Sequence, residues 1–135
     1  MIVDDNQETL AMVRDICARY EGVEIECFDS PQAALEIFAA EPQAFDFVLT
    51  DLEMPGAAGF ELARRRRPLT PALRILLSSW NDLLSDEEAV AKGFCSPIRK
   101  PFPFAALQRA VAPATLKYIG RFAGLTQGLN LVPAC

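Results

Sequence analysis

The sequence predicts an α/β domain built on a doubly wound, five-stranded parallel sheet flanked by five helices. Three observations predict it. Short apolar runs of strand character alternate five times with stretches of helical pattern. The segments between successive runs are long enough for the crossovers that parallel strands require. Four of the runs end in residues that carry chemistry, at the edge where the carboxyl ends of parallel strands gather and where open α/β sheets bind ligands.

Met1-Ile2-Val3 is the first run, followed by Asp4-Asp5. It is shorter than the usual strand of about five or six residues, as if clipped at its start. Asn6 is placed to cap a helix through Thr9, with Glu8 in the favourable first turn. Leu10, Val13, Ile16, Cys17 and Tyr20 share one face of that helix, and Gly22 ends it. Val23, Ile25 and Cys27 alternate with Glu24 and Glu26, the pattern of a half-buried edge strand. Ser30-Pro31 reads as an N-cap with proline at the first helical position. Ala34, Leu35, Ile37 and Phe38 follow, and Pro42 closes the second helix.

Phe47-Val48-Leu49-Thr50 is apolar without alternation and reads as a strand buried on both faces. It breaks at Asp51 and turns through Pro55-Gly56. Phe60 to Ala63 begins a third helix, Arg64 to Arg67 continues it, and Pro68 ends it. Leu73 to Leu77 is a second buried strand, running into Ser78-Ser79-Trp80. Ser85 with Glu88 forms a capping box for a fourth helix that stops near Gly93. Ser96 to Arg99 is the last strand, with Lys100-Pro101 after it. Pro103 opens a fifth helix whose inner face is Phe104, Leu107 and Val111.

The chain has 135 residues, 51% of them hydrophobic and 23% charged, which suits one globular domain. A net charge of −5 argues against a nucleic-acid surface. No apolar run approaches the roughly 20 residues of a membrane helix. The start lacks a basic region and a signal-peptide pattern, so the cytoplasm is the expected location. Cys17, Cys27, Cys95 and Cys135 are scattered without C-x-x-C spacing and read as reduced thiols. With no histidine present, Ser-His-Asp and Cys-His catalysis are excluded, as is a phosphohistidine supplied by the chain itself.

The strand ends bring Asp4 and Asp5, Asp51, Ser78 and Lys100 to one rim. For Asp51 alone, a plain turn acid before Pro-Gly is the alternative. Three neighbouring carboxylates repel one another, and a hard divalent cation relieves this. Mg²⁺ suits one or two carboxylates plus waters. Asp5 and Asp51 are the natural direct ligands, with Asp4 bound directly or through water. Lys100 is a point-charge donor for phosphate oxygens, and Ser78 offers a hydroxyl to the same group. Such a site suits phosphoryl transfer, with Asp51 as the nucleophile that becomes an acyl phosphate.

Val3-Asp4-Asp5, the run Leu49 to Gly56 with Gly59, Ile75 to Ser79, and Arg99-Lys100-Pro101-Phe102 together resemble the response-regulator receiver domains of two-component signalling. The resemblance covers residues 1–112 and leaves 113–135 as a tail, either an extra helix or a frayed remnant. It implies the flavodoxin-like sheet order 2-1-3-4-5. It also implies that Asp51 accepts phosphate from a phosphohistidine on a sensor histidine kinase or phosphotransfer protein. Mg²⁺ would then sit on Asp5, Asp51 and the backbone carbonyl of Glu53, with Asp4 assisting. Ser78 and Lys100 would hold the phosphoryl oxygens, and the Lys100–Pro101 peptide would be cis. Glu53 and Trp80 would flank the path of the hydrolytic water and tune the lifetime of the phosphorylated state. Such a chain catalyses its own phosphorylation and dephosphorylation without turning over a separate substrate, and it signals through protein contacts. An output protein and a second copy of the chain are the further partners it implies.

Relatives often carry an aromatic switch residue where this chain has Pro97, and proline has no rotamer to swing. An acid frequent before the glycine is replaced by Ala57-Ala58. These departures keep a second reading open, a degenerate receiver used only for binding or dimerisation. A third, a phosphatase of the haloacid dehalogenase type, requires aspartate where Glu53 stands. Arg64 to Arg67 reads as a solvated helix face or an acidic-partner dock. Trp80 reads as a partner anchor or a partial cover of the site, and Phe102 and Phe104 read as packing.

Overall fold

In the computed structural model of the protein, residues 1–19, 23–56, 58–69, 73–80, 84–95, 97–102 and 107 are described. Five strands pair in the order β2-β1-β3-β4-β5, every pair parallel. They are β1 (Ile2–Val3), β2 (Cys27–Phe28), β3 (Phe47–Asp51), β4 (Arg74–Ser79) and β5 (Pro97–Arg99). Between them lie helices α1 (Gln7–Cys17), α2 (Pro31–Ala40), α3 (Ala58–Leu69) and α4 (Asp86–Ala91), with a short 3₁₀ turn at Pro42–Ala44. The expected doubly wound sheet in the order 2-1-3-4-5 is therefore the observed one. Of the expected fifth helix, only Leu107 is described; it is helical and fully buried. Pro103, Phe104, Val111 and the tail lie outside the described residues, as do Tyr20 and Gly22.

The caps act as the sequence implies. Asn6 accepts hydrogen bonds from the backbone N–H groups of Glu8 and Thr9 at 2.8 and 3.1 Å. Ser30 accepts from Ala33 N at 3.3 Å, with Pro31 at the first helical position. Ser85 and Glu88 form the reciprocal capping box that starts α4. Boundaries moved where local signals were weakest. Helix α1 stops at Cys17, and α3 runs one residue past Pro68 to Leu69. Residues 23–27 alternate in exposure as an edge strand should, but only Cys27 and Phe28 join the ladder.

The alternation of strand side chains divides the core into two layers. On one face Ile2, Leu49 and Leu76 pack with Leu10, Val13 and Ile16 of α1 and with Leu107. On the other, Val3, Val48, Ile75 and Leu77 pack with Ala34 and Phe38 of α2, Leu62 and Ala63 of α3, and Ala89 of α4. All five residues of β3 are buried, as its unalternating run requires. Gly59 brings α3 close to the sheet: a Cβ there would lie 3.1 Å from Thr50 Cγ2. Gly56 holds a φ of 87° in the turn after Asp51, a conformation that favours glycine.

The reading of all four cysteines as reduced requires correction. Cys17 and Cys27 are free, but Cys95 is disulfide-bonded; Cys135 lies outside the described residues. Separation along a chain says nothing about which thiols meet. A disulfide needs only Cα atoms roughly 4.4–6.8 Å apart, and folding decides that.

Candidate functional site

Strand register assembles the site. Val3 pairs with Thr50, so Asp4 emerges beside Asp51. Asp51 pairs with Ser78, and Ser79 pairs with Arg99, which puts Lys100 at the same edge. The backbone fastens these ends: Leu52 N donates to Ser78 O and Lys100 N donates to Ser79 O, each at 2.8 Å. The Lys100–Pro101 peptide is cis, as the family resemblance implied.

Lys100 bridges two acids. Its Nζ lies 2.7 Å from Asp4 Oδ2 and 2.8 Å from Asp51 Oδ2, and all three side chains are buried. The other oxygens are held by the backbone: Asn6 N donates to Asp4 Oδ1 at 2.9 Å, and Glu53 N donates to Asp51 Oδ1 at 3.2 Å. Burial pushes the Asp4 carboxyl up by more than the Lys100 ammonium and the Asn6 N–H pull it down, and the neighbouring Asp51 charge adds to the rise. For Lys100, burial favours the neutral amine, but contact with the two carboxylates outweighs it and holds the pKa above the ordinary lysine value.

Asp5 sits at the exposed rim of this cluster. Asp4, Asp5 and Asp51 can each present one oxygen such that all three lie within 4.8 Å of one another. Three carboxylates thus face one ammonium. Asp4 Oδ2, though ion-paired to Lys100, accepts no hydrogen bond of good geometry among the described residues. A buried, under-satisfied carboxylate oxygen and an excess of negative charge fit a hard cation with oxygen ligands, and these residues can hold Mg²⁺.

Ser78 is fully buried beside Asp51, but its hydroxyl donates to Thr50 O at 3.3 Å and so turns back into the sheet. Pro97 stands on β5 opposite Leu77, half-buried. Glu53 and Trp80 meet directly. Trp80 N donates to Glu53 Oε2 at 3.0 Å and Ser79 Oγ donates to Glu53 Oε1 at 3.4 Å. Trp80 is 55% exposed as a residue, and Lys100 Nζ lies 5.9 Å from its ring centroid. Sequence reasoning named both residues but missed the bond between them. The register holds the signal: Asp51 and Ser78 are paired, so the residues two positions further on leave the sheet side by side.

Comparison with known proteins gives a matching family model and similar folds. Residues 1–112 match the family model described as the response regulator receiver domain. The virulence sensor protein BvgS of Bordetella pertussis is 42% identical over 67 residues, which cover 50% of this chain and 5% of BvgS. The chain thus spans only a small part of that relative. A response regulator receiver domain protein from Clostridium thermocellum superposes with a TM-score of 0.73 at 24% identity, covering 87% of this chain and 93% of that one. A similar fold occurs in the co-crystal structure of the Saccharomyces cerevisiae histidine phosphotransfer protein Ypd1 and the receiver domain of its downstream response regulator Ssk1. The TM-score there is 0.71 at 17% identity, over 86% of this chain and 88% of that one.

Proposed function

This chain belongs to the response regulator receiver domain family, and on that premise we propose that Asp51 is the acceptor in a two-component phosphorelay. The observation that carries the reading is the meeting of Asp51 with Lys100 at 2.8 Å and with Asp4 and Asp5 at one sheet edge. The donor is the phosphohistidine of a sensor histidine kinase or a phosphotransfer protein; the 135 residues of this sequence contain no histidine.

A carboxylate oxygen of Asp51 attacks the phosphorus. The new P–O bond forms as the P–N bond breaks, and the P–N electron pair remains on the departing imidazole, which takes a proton. Lys100 holds one phosphoryl oxygen through a charge-assisted hydrogen bond. The Ser78 hydroxyl turns from the Thr50 carbonyl to hold another. Asp5, Asp51 and the Glu53 carbonyl would hold Mg²⁺, with Asp4 directly or through water. The bound ion supplies positive charge to the phosphoryl oxygens as negative charge builds on them. In the separate hydrolytic step, water attacks phosphorus and the acyl P–O bond breaks, returning the Asp51 carboxylate and inorganic phosphate. Glu53 and Trp80 border that approach and set how long the acyl phosphate lasts. The chain performs this chemistry on itself, and its output passes through protein contacts.

Incubation with acetyl phosphate and Mg²⁺ tests the assignment. Intact mass should show one added phosphate in the wild type and none in Asp51→Asn. Uptake that survives the substitution would refute Asp51 as acceptor. Pro97 favours a second reading, a receiver that binds partners without phosphorylation. That reading predicts equal partner binding by wild type and Asp51→Asn, with and without Mg²⁺.

A further inference from the structure

Glu53 touches both sides of the site. Its backbone N–H donates to Asp51 Oδ1 at 3.2 Å, and its carboxylate accepts from Trp80 N at 3.0 Å and Ser79 Oγ at 3.4 Å. One residue therefore joins the acceptor carboxylate to the segment that leaves β4. A second route runs to the same place: Lys100 Nζ is 2.8 Å from Asp51 Oδ2 and 5.9 Å from a Trp80 ring centroid, within the roughly 6 Å reach of a cation–π contact. The first hold is on the Trp80 backbone N–H, by a residue whose own backbone N–H bonds Asp51; the second is on the indole, by the ammonium that also bonds Asp51.

We propose that Glu53 is a positioning residue that clips Trp80 over Lys100, and that phosphorylation of Asp51 releases the indole to the surface as this chain's signal. The inference rests on the reading of Asp51 as the acceptor. Phosphorylation replaces a carboxylate by a neutral acyl group bearing a phosphate of about −1.5 to −2. The added negative charge lies beyond the strand end, toward the Glu53 carboxylate, and repels it. The same oxygens draw the Lys100 ammonium away from the indole. The two effects act in one direction. Trp80, a residue already 55% exposed, leaves no core position when it moves. Pro97 cannot supply a mobile aromatic on β5, whereas Trp80 is an aromatic tied to the charge at Asp51.

Trp80 is the chain's single tryptophan, so its emission reports this side chain alone. The full chain is phosphorylated with acetyl phosphate and Mg²⁺, occupancy is read by intact mass, and Trp80 is followed by emission and acrylamide quenching. In the wild type, emission should shift and quenching should rise in step with bound phosphate. Unphosphorylated Glu53→Ala should already quench like phosphorylated wild type. Ser79→Ala, which removes one clip hydrogen bond and no proposed phosphoryl or metal ligand, should lie between the two. If no phosphate enters the wild type, the acceptor reading fails and this inference with it. If phosphate enters and Trp80 emission does not follow it, the clip alone is refuted. Quenching in unphosphorylated Glu53→Ala and Ser79→Ala equal to that of unphosphorylated wild type would refute it as well.

Discussion

Lys100 is a cation set between two buried acids, and its removal tests the electrostatics at the scale of a single side chain. Lys100→Met keeps an apolar stem but leaves Asp4 and Asp51 without a counter-charge. Breaking a buried ion pair from one side costs on the order of 3–5 kcal/mol. The expected result in metal-free buffer is a lower urea midpoint by an amount of that order. Added Mg²⁺ should restore more stability to the variant than it gives the wild type, because the cation then neutralises charge that nothing else does. Equal gains from Mg²⁺ in both proteins would show that the acids do not share one cation.

Among the elements, α3 carries two separable tests. A methyl at Gly59 would meet Thr50 Cγ2 at 3.1 Å and Oγ1 at 3.3 Å, and Thr50 is fully buried in β3 next to Asp51. Gly59→Ala should therefore overpack this contact and lower stability by about 1–3 kcal/mol in chemical denaturation. Two residues on, Glu61 accepts from Arg64 and Arg65, and these hydrogen bonds pull its pKa down to about 2 from an ordinary 4.5. A carboxyl depressed in this way contributes its stability above its unfolded pKa and loses it as the pH falls through about 2. An NMR titration of the Glu61 carboxyl should show the low midpoint, and Arg64→Ala should move it upward. Because these side chains lie at the surface, salt should weaken the shift. The capping box of α4 behaves differently. Ser85→Ala removes a local backbone partner and should cost about 1 kcal/mol with little salt dependence.

For the whole molecule, the proposed cation site joins the end of β1 to the end of β3, so Mg²⁺ held there would act on the folded sheet and not on the open chain. At 100-fold excess over its dissociation constant, a ligand specific to the native state adds about 2.7 kcal/mol. Wild-type protein should show that rise in thermal or denaturant midpoint with Mg²⁺, and Asp5→Ala should show less of it. Much of this architecture was legible from the sequence alone. The unalternating run Phe47 to Thr50 reads as a strand covered on both faces, and Asn6, Ser30 and Ser85 announced their helices by cap chemistry acting over three or four residues. Those signals are local, and the amino-acid order contains them in full. The strand ends carrying Asp4, Asp51, Ser78 and Lys100 were legible for the same reason, once the strands were taken as parallel. Other features depend on groups far apart in the chain. The Glu53–Trp80 hydrogen bond spans 27 residues, the turn of the Ser78 hydroxyl onto Thr50 O spans 28, and Cys95 found a disulfide partner that spacing did not disclose. By itself the sequence determined which elements form and which chemistry reaches the carboxyl edge, because propensity, capping and hydrophobic period act between neighbours. Only the tertiary structure decided which polar groups bond across that edge, because strand register and loop approach are set by packing the whole sheet at once.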